Sequence, residues 1–123
     1  MGALILDASV LIGLLDAADA HHERAVDDVG SADVAGRPLV APASAYSEVL
    51  VAFARAGRLA DAREAIAAMG ISVAPLTAAM AEQAAELRAD HKQLRLPDAM
   101  VLACTRDMDG ELLTYDQRLA RLG

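Results

Sequence analysis

The sequence predicts an α/β domain, with a central parallel sheet of about four strands and helices on both faces. Three observations predict it. Short strand-like runs occur four times, at Ala3–Leu6, Pro38–Ala41, Ile71–Ala74 and Glu111–Thr114. Longer segments with apolar residues at helical spacing separate them. The alternation runs through all 123 residues without a repeat, a linker or a low-complexity tract, so residues 1–123 read as a single domain.

The first run, Ala3-Leu4-Ile5-Leu6, is continuously apolar and stops at Asp7, as a strand covered on both faces would. Ser9 is a candidate cap for a helix from Val10 to about Ala17. A second helix is expected over His21–Val29, with Gly30, Ser31 and Gly36 marking a loop. After the second strand, Ser44 opens a helix to about Ala56, and Gly57 stops it. Tyr46, Val49, Leu50 and Phe53 form its apolar stripe. A helix over Arg58–Met69 has Leu59, Ala62, Ile66 and Met69 on one side and ends at Gly70. Pro75 closes the third strand. Thr77 caps a helix to about His91, with Met80, Ala84 and Leu87 turned inward and His91 near the end of that stripe, where partial burial is expected. Pro97 suits the first turn of the next helix, which continues to about Met108. Asp109-Gly110 is a turn, and Asp116–Leu122 makes a closing helix.

Hydrophobic residues make up 55% of the chain, with two Tyr, one Phe and no Trp, so the core is aliphatic. The lone Cys104 excludes an internal disulfide, fits a reducing compartment, and lies in an apolar run where a small buried hydrophobe is expected. No run approaches membrane-spanning length. Met1-Gly2 lacks the hydroxyl residue that myristoylation needs at position 6, which is Leu6. A cytoplasmic protein is expected. The net charge of −7 argues against simple electrostatic attraction to nucleic acid, unless bound cations or a basic partner offset it.

Open parallel sheets bind ligands beyond the carboxyl ends of their strands. Asp7 directly follows the first strand, and Asp116 lies just past the fourth. Asp98 stands at the mouth of a helix that is apolar nearly all round, and Glu48 is about one turn into the helix after the second strand. Each acid has an ordinary reading too. Asp116 suits a helix cap, Asp98 a first-turn acid facing the helix dipole, and Glu48 a solvated position. If the four meet, two carboxylates about 4 Å apart repel by roughly 4 kcal/mol at an effective dielectric near 20. Then either some are protonated or a divalent metal is present. Hard oxygen donors suit Mg²⁺ or Mn²⁺, and water is the available nucleophile.

Four segments carry a resemblance. Leu4-Ile5-Leu6-Asp7-Ala8-Ser9-Val10-Leu11-Ile12 resembles the opening motif of PIN-domain proteins, especially the VapC toxins of bacterial toxin–antitoxin pairs. Ala43–Leu50 resembles their second acidic motif, Leu96–Ala103 the third, and Leu113–Leu119 the fourth. The resemblance implies a Rossmann-like fold and a metal site of Asp7, Glu48, Asp98 and Asp116. It also implies Mg²⁺- or Mn²⁺-dependent endoribonuclease activity, a homodimer, and inhibition by a small cognate antitoxin. One departure is Ala8, where many relatives carry a hydroxyl. Ser9 and Thr114 are candidates to orient Asp7 and Asp116 from behind. Lys92 and Arg95 are candidates to contact RNA phosphates, although no aromatic platform for stacking bases is apparent.

Two other classes compete with a nuclease. An acidic cleft without catalysis could bind a basic partner peptide. A haloacid dehalogenase-type phosphatase needs a second Asp where this chain has Ser9. The adjacent His21-His22 pair is a poor metal site, because neighbouring helical residues point about 100° apart.

Overall fold

The computed structural model describes residues 2–123; Met1, and with it the first half of the Met1-Gly2 reading, lies outside the described residues. Among the described residues, eleven elements follow one another along the chain. They are β1 (Leu4–Leu6), α1 (Ala8–Leu15), α2 (His22–Val34), β2 (Leu39–Pro42), α3 (Ala43–Arg55), α4 (Leu59–Ala68), β3 (Ile71–Ala74), α5 (Ala78–Asp90), α6 (Leu96–Asp107), β4 (Glu111–Leu113) and α7 (Gln117–Leu122). The four strands form one sheet in the order β3-β2-β1-β4, and every pair is parallel.

All three residues of β1 are buried. Successive side chains of a strand point to opposite faces, so both faces of the sheet are covered at its centre. The core has two clusters. The larger joins Leu4 and Leu6 to Val10, Leu11, Ala25, Val29, Val49, Ile66 and Val101. The other packs Met80, Ala84 and Leu87 of α5 against Leu102, Ala103 and Cys104 of α6, with Leu119 of α7 alongside. Cys104 is therefore the buried hydrophobe its sequence context predicts. Helix α6 contributes to both clusters, which explains why it is apolar nearly all round.

Three local expectations change. Helix α2 does not stop at Val29 but continues through Gly30 and Ser31 to Val34. Ala25, Val29 and Ala32 are buried on one stripe, and that burial outweighs the roughly 1 kcal/mol that a helical glycine costs. Just past the cap residue Ala35, Gly36 adopts a φ of 77° that lets Arg37 N–H reach back to Ala32 O and closes the helix end. Second, α1 is capped by Asp7 rather than Ser9. The Asp7 backbone is extended and its carboxylate accepts from Val10 N–H, which places Ser9 inside the helix. Third, Ser44 does not cap α3. The cap position is Pro42, and the Ser44 hydroxyl is buried without a hydrogen-bond partner. The expected cap at Thr77 does form, with its hydroxyl accepting from Met80 N–H.

The strand order decides where a site can be. From β1 the chain moves outward to β2 and β3, then returns to place β4 on the other side of β1. Loops leaving β1 and β4 therefore diverge at a topological switch point, the place where open α/β sheets hold ligands. Asp7 leaves β1 there, and Thr114 to Asp116 leave β4.

Candidate active site

Asp7 is the most buried acid of the chain, at 4% exposure. Its surroundings come from two ends of the sequence. Ser9 Oγ donates to Oδ1 at 2.6 Å, and Val10 N–H donates to the same oxygen at 3.1 Å. Thr114 Oγ1, 107 residues away, donates to Oδ2. Both hydroxyls are themselves held by backbone donors. Ser9 Oγ accepts from Tyr115 N–H at 3.0 Å, and Thr114 Oγ1 accepts from Asp116 N–H at 3.0 Å. Each hydroxyl thus has its proton directed at Asp7. Ser9 supplies the hydroxyl that position 8, an alanine, lacks.

Burial pushes the Asp7 carboxyl above the usual range, and the hydrogen bonds from Ser9, Thr114 and Val10 pull the other way without cancelling it. Asp98, in the first turn of α6, is also raised, first by desolvation. The charges of Glu48 and Asp116 raise it further, while Arg95 lowers it. Asp98 thus lies within electrostatic reach of both Glu48 and Asp116.

Arg95 is the counter-charge. Its guanidinium donates to Glu48 at 2.6 Å and to Asp98 at 3.3 Å, joining α3 to the start of α6. Glu48 is half-buried and ion-paired rather than simply solvated. Asp116 is exposed and caps α7, accepting from Arg118 N–H at 2.9 Å and Leu119 N–H at 3.3 Å. Its ordinary role as a cap and its place at the site coexist.

A cavity of about 650 Å³ brings these residues onto one surface. Asp7, Glu48, Asp98 and Asp116 all line it, as do Ser9, Lys92 and Arg95. Thr114 is not part of the lining and acts on the cavity through Asp7 and Asp116. His91, expected to be partly buried, is exposed on the cavity wall instead, because α5 ends at Asp90 and releases it into the connection to α6.

The four acids share a cavity but are not clasped. Among the described residues, no group of three or more His, Cys, Asp or Glu side chains stands close enough to hold an ion as placed. Arg95 accounts for part of this, since its guanidinium already pairs with both Glu48 and Asp98. The donor set is entirely hard oxygen, and its field already attracts one cation, the guanidinium. On both grounds the residues fit a divalent ion such as Mg²⁺ or Mn²⁺.

A clamp beside the site went unnoticed in the sequence. Tyr115 lies between Thr114 and Asp116. Its hydroxyl donates to Asp28 at 2.9 Å, its ring stacks on His21 with centroids 4.8 Å apart, and the Arg24 guanidinium lies 4.4 Å from its centre. Helix α2 and the turn before it thereby hold the loop that presents Thr114 and Asp116. The hint was an aromatic residue inside an acidic motif in a chain with few aromatics. His21 and His22 serve apart: the His22 ring bonds Gly13 O at 2.7 Å. Arg118 and Arg121 also line the cavity without having been singled out.

The fold and motifs agree with comparisons to known proteins. A toxin–antitoxin complex from Klebsiella pneumoniae contains a chain 23% identical, with a TM-score of 0.73 over 94% of this chain and 88% of that one. Mycobacterium tuberculosis VapC20, a sarcin–ricin loop cleaving toxin, is 21% identical, with a TM-score of 0.77 over 98% and 95% of the two chains. No curated protein sequence matches. Residues 4–123 match the PIN domain family, nearly the whole chain, and the protein belongs to that family.

Proposed function

We propose that this chain is a metal-dependent endoribonuclease that hydrolyses RNA phosphodiester bonds, the toxin of a toxin–antitoxin pair restrained by a small cognate antitoxin. The observation that carries the reading is the enclosure of Asp7, Glu48, Asp98 and Asp116 by one cavity at the switch point of a parallel sheet. The similarity to a chain of the Klebsiella toxin–antitoxin complex and to VapC20, named as a sarcin–ricin loop cleaving toxin, supports the same reading.

A bound Mg²⁺ or Mn²⁺ would supply an activated water and neutralise charge on the phosphate under attack. The chain supplies the rest. Asp7 is held rigidly, with both oxygens oriented by Ser9, Val10 and Thr114. Asp98, Glu48 and Asp116 complete the donor set from three other elements. Arg95 neutralises Glu48 and Asp98 in the resting protein, and on release it can turn to a substrate phosphate. Lys92 lies beside it on the same cavity.

Purified protein with Mn²⁺ should cut RNA. Asp98→Asn should sharply slow cutting while leaving the circular-dichroism spectrum and thermal midpoint close to those of the parent. Undiminished cutting by that variant would remove Asp98 from the site. A second reading draws on the Arg95 contact, which shows that these acids accept a basic side chain: an acidic cleft that binds a basic peptide and has no turnover. Calorimetry separates the two, because only the nuclease requires the apo protein to bind Mn²⁺. A homodimer is part of the same proposal, and light scattering of the free protein tests it. No helix among the described residues is long and apolar enough to cross a membrane.

A further inference from the structure

We infer that Lys92, Arg118 and Arg121 form a cationic wall of the site cavity that grips the phosphates of a single RNA strand beside the bond to be cut. The inference rests on the nuclease reading above and adds to it the residues that hold the backbone.

The chain is acidic overall, at −7, so a concentration of cations around one cavity is not a consequence of composition. Four of them, Lys92, Arg95, Arg118 and Arg121, line the cavity that holds the four acids. They differ in what they touch. Arg95 is tied to Glu48 and Asp98. Lys92, Arg118 and Arg121 make no side-chain ion pair or hydrogen bond among the described residues, although carboxylates line the same cavity. All three are exposed, and their donors are open.

Their placement is built into the fold. Asp116 caps α7, so that helix starts at the acidic floor and runs away from it. Leu119, 1% exposed, pins the helix to the second core cluster. Arg118 and Arg121 are three residues apart and therefore neighbours on the helix surface. Lys92 comes from a different segment, the connection between α5 and α6, so two separate parts of the chain supply the cations.

The separation of charge has a function on a polyanion. Acids alone would repel RNA, and cations alone would bind it anywhere. A cationic wall next to an acidic floor draws the backbone to the edge of the site and leaves one phosphate over the acids. A cavity of about 650 Å³ is the size of a small-ligand site, so a short stretch of one strand is what it can take in. The wall also answers the objection raised by net charge, because attraction to nucleic acid depends on the local field rather than the total.

The test is the salt dependence of binding. A fluorescein-labelled single-stranded RNA is titrated with the full chain over a series of KCl concentrations, with Ca²⁺ in place of Mn²⁺ to keep the strand intact. Each phosphate contact to a single strand contributes a slope of about −0.7 to log K against log salt. Replacing all three residues by Gln should flatten the slope by about 2, and each single replacement by about 0.7. Arg118→Lys with Arg121→Lys should keep the slope. The thermal midpoint, measured alongside, should not move, because none of the three is buried. If the triple variant keeps the parental slope while the parent binds and cuts RNA, the wall is overturned and the nuclease reading stands. If the triple variant loses affinity for polyglutamate but not for RNA, the wall serves an acidic protein and the inference is wrong. If the parent with Mn²⁺ neither binds nor cuts RNA, the nuclease reading falls and takes this inference with it.

Discussion

The two corners of the acidic floor solve the same electrostatic problem in opposite ways. At one, Asp7 is buried and its oxygens are bonded by Ser9, Val10 and Thr114, with no cation in contact. At the other, Glu48 and Asp98 are only partly buried and share the guanidinium of Arg95. The first corner is rigid and carries a standing desolvation cost. The second is adaptable, because the side chain that neutralises it is long, more than half exposed, and free to leave. A site that must accept both an ion and a substrate gains from having one of each: a fixed ligand to define position and a movable counter-charge to make room.

Breaking the rigid corner should have the largest effect. Asp7→Asn removes a charge that the proposed ion would meet, a loss of several kcal/mol and hence about 10³-fold in cleavage rate. Single-turnover assays with labelled RNA check this. The same substitution should stabilise the metal-free protein. The raised Asp7 pKa means that the folded state binds this proton more tightly than the unfolded state does. Its contribution is thus complete below the unfolded value of about 3.9 and is lost as pH rises through the folded value. The thermal midpoint of Asp7→Asn should therefore exceed that of the parent by a margin that grows from acid to neutral pH in EDTA. A margin that shrinks over that range would mean that Asp7 is not paying for its burial.

The hydroxyls behind Asp7 come next. Thr114→Val keeps the shape but removes the donor to Oδ2 and the acceptor for Asp116 N–H. Loss of such an orienting partner typically costs 10- to 100-fold in metal affinity or activity. Mn²⁺ calorimetry and cleavage should both register it; a change of less than about twofold would show that Asp7 needs no help from β4.

The smallest effect belongs to the adaptable corner. Arg95→Gln removes ion pairs of the partly exposed kind, worth about 0.2–1 kcal/mol. Stability should barely change. Mn²⁺ affinity should rise by roughly two- to fivefold, because the ion no longer displaces a resident cation. Weaker Mn²⁺ binding in this variant would show that Arg95 gathers the acids rather than competing for them.

How much of this was legible differs between the same two corners. Asp7 and Asp98 were visible because each abuts an apolar run, and a carboxylate beside a buried segment needs a reason. Ser9 and Thr114 were visible as hydroxyls next to acids. The Arg95 bridge was not, because nothing in the spacing of Glu48, Arg95 and Asp98 says that α3 and the start of α6 lie side by side. Tyr115 was missed for the same cause: its partners His21, Arg24 and Asp28 are remote in sequence and come from α2 and the turn before it. Gly30 and Ser31 misled because their intrinsic preferences are local, whereas the continuation of α2 was decided by burial of Ala32.

What the sequence by itself determined is periodic or adjacent: the alternation of strands and helices, the inward stripes Met80/Ala84/Leu87 and Ala62/Ile66, the stops at Gly57 and Gly70, and the acids that follow strands. These follow from backbone geometry and the hydrophobic effect acting over a few residues. The tertiary structure alone decided which distant groups meet. The order β3-β2-β1-β4 sets Thr114 against Asp7 across 107 residues and turns four separate acids and three exposed cations into the walls of one cavity. Such meetings depend on how strands pair in space, and strand pairing is settled by the packing of the whole core, not by any segment of it.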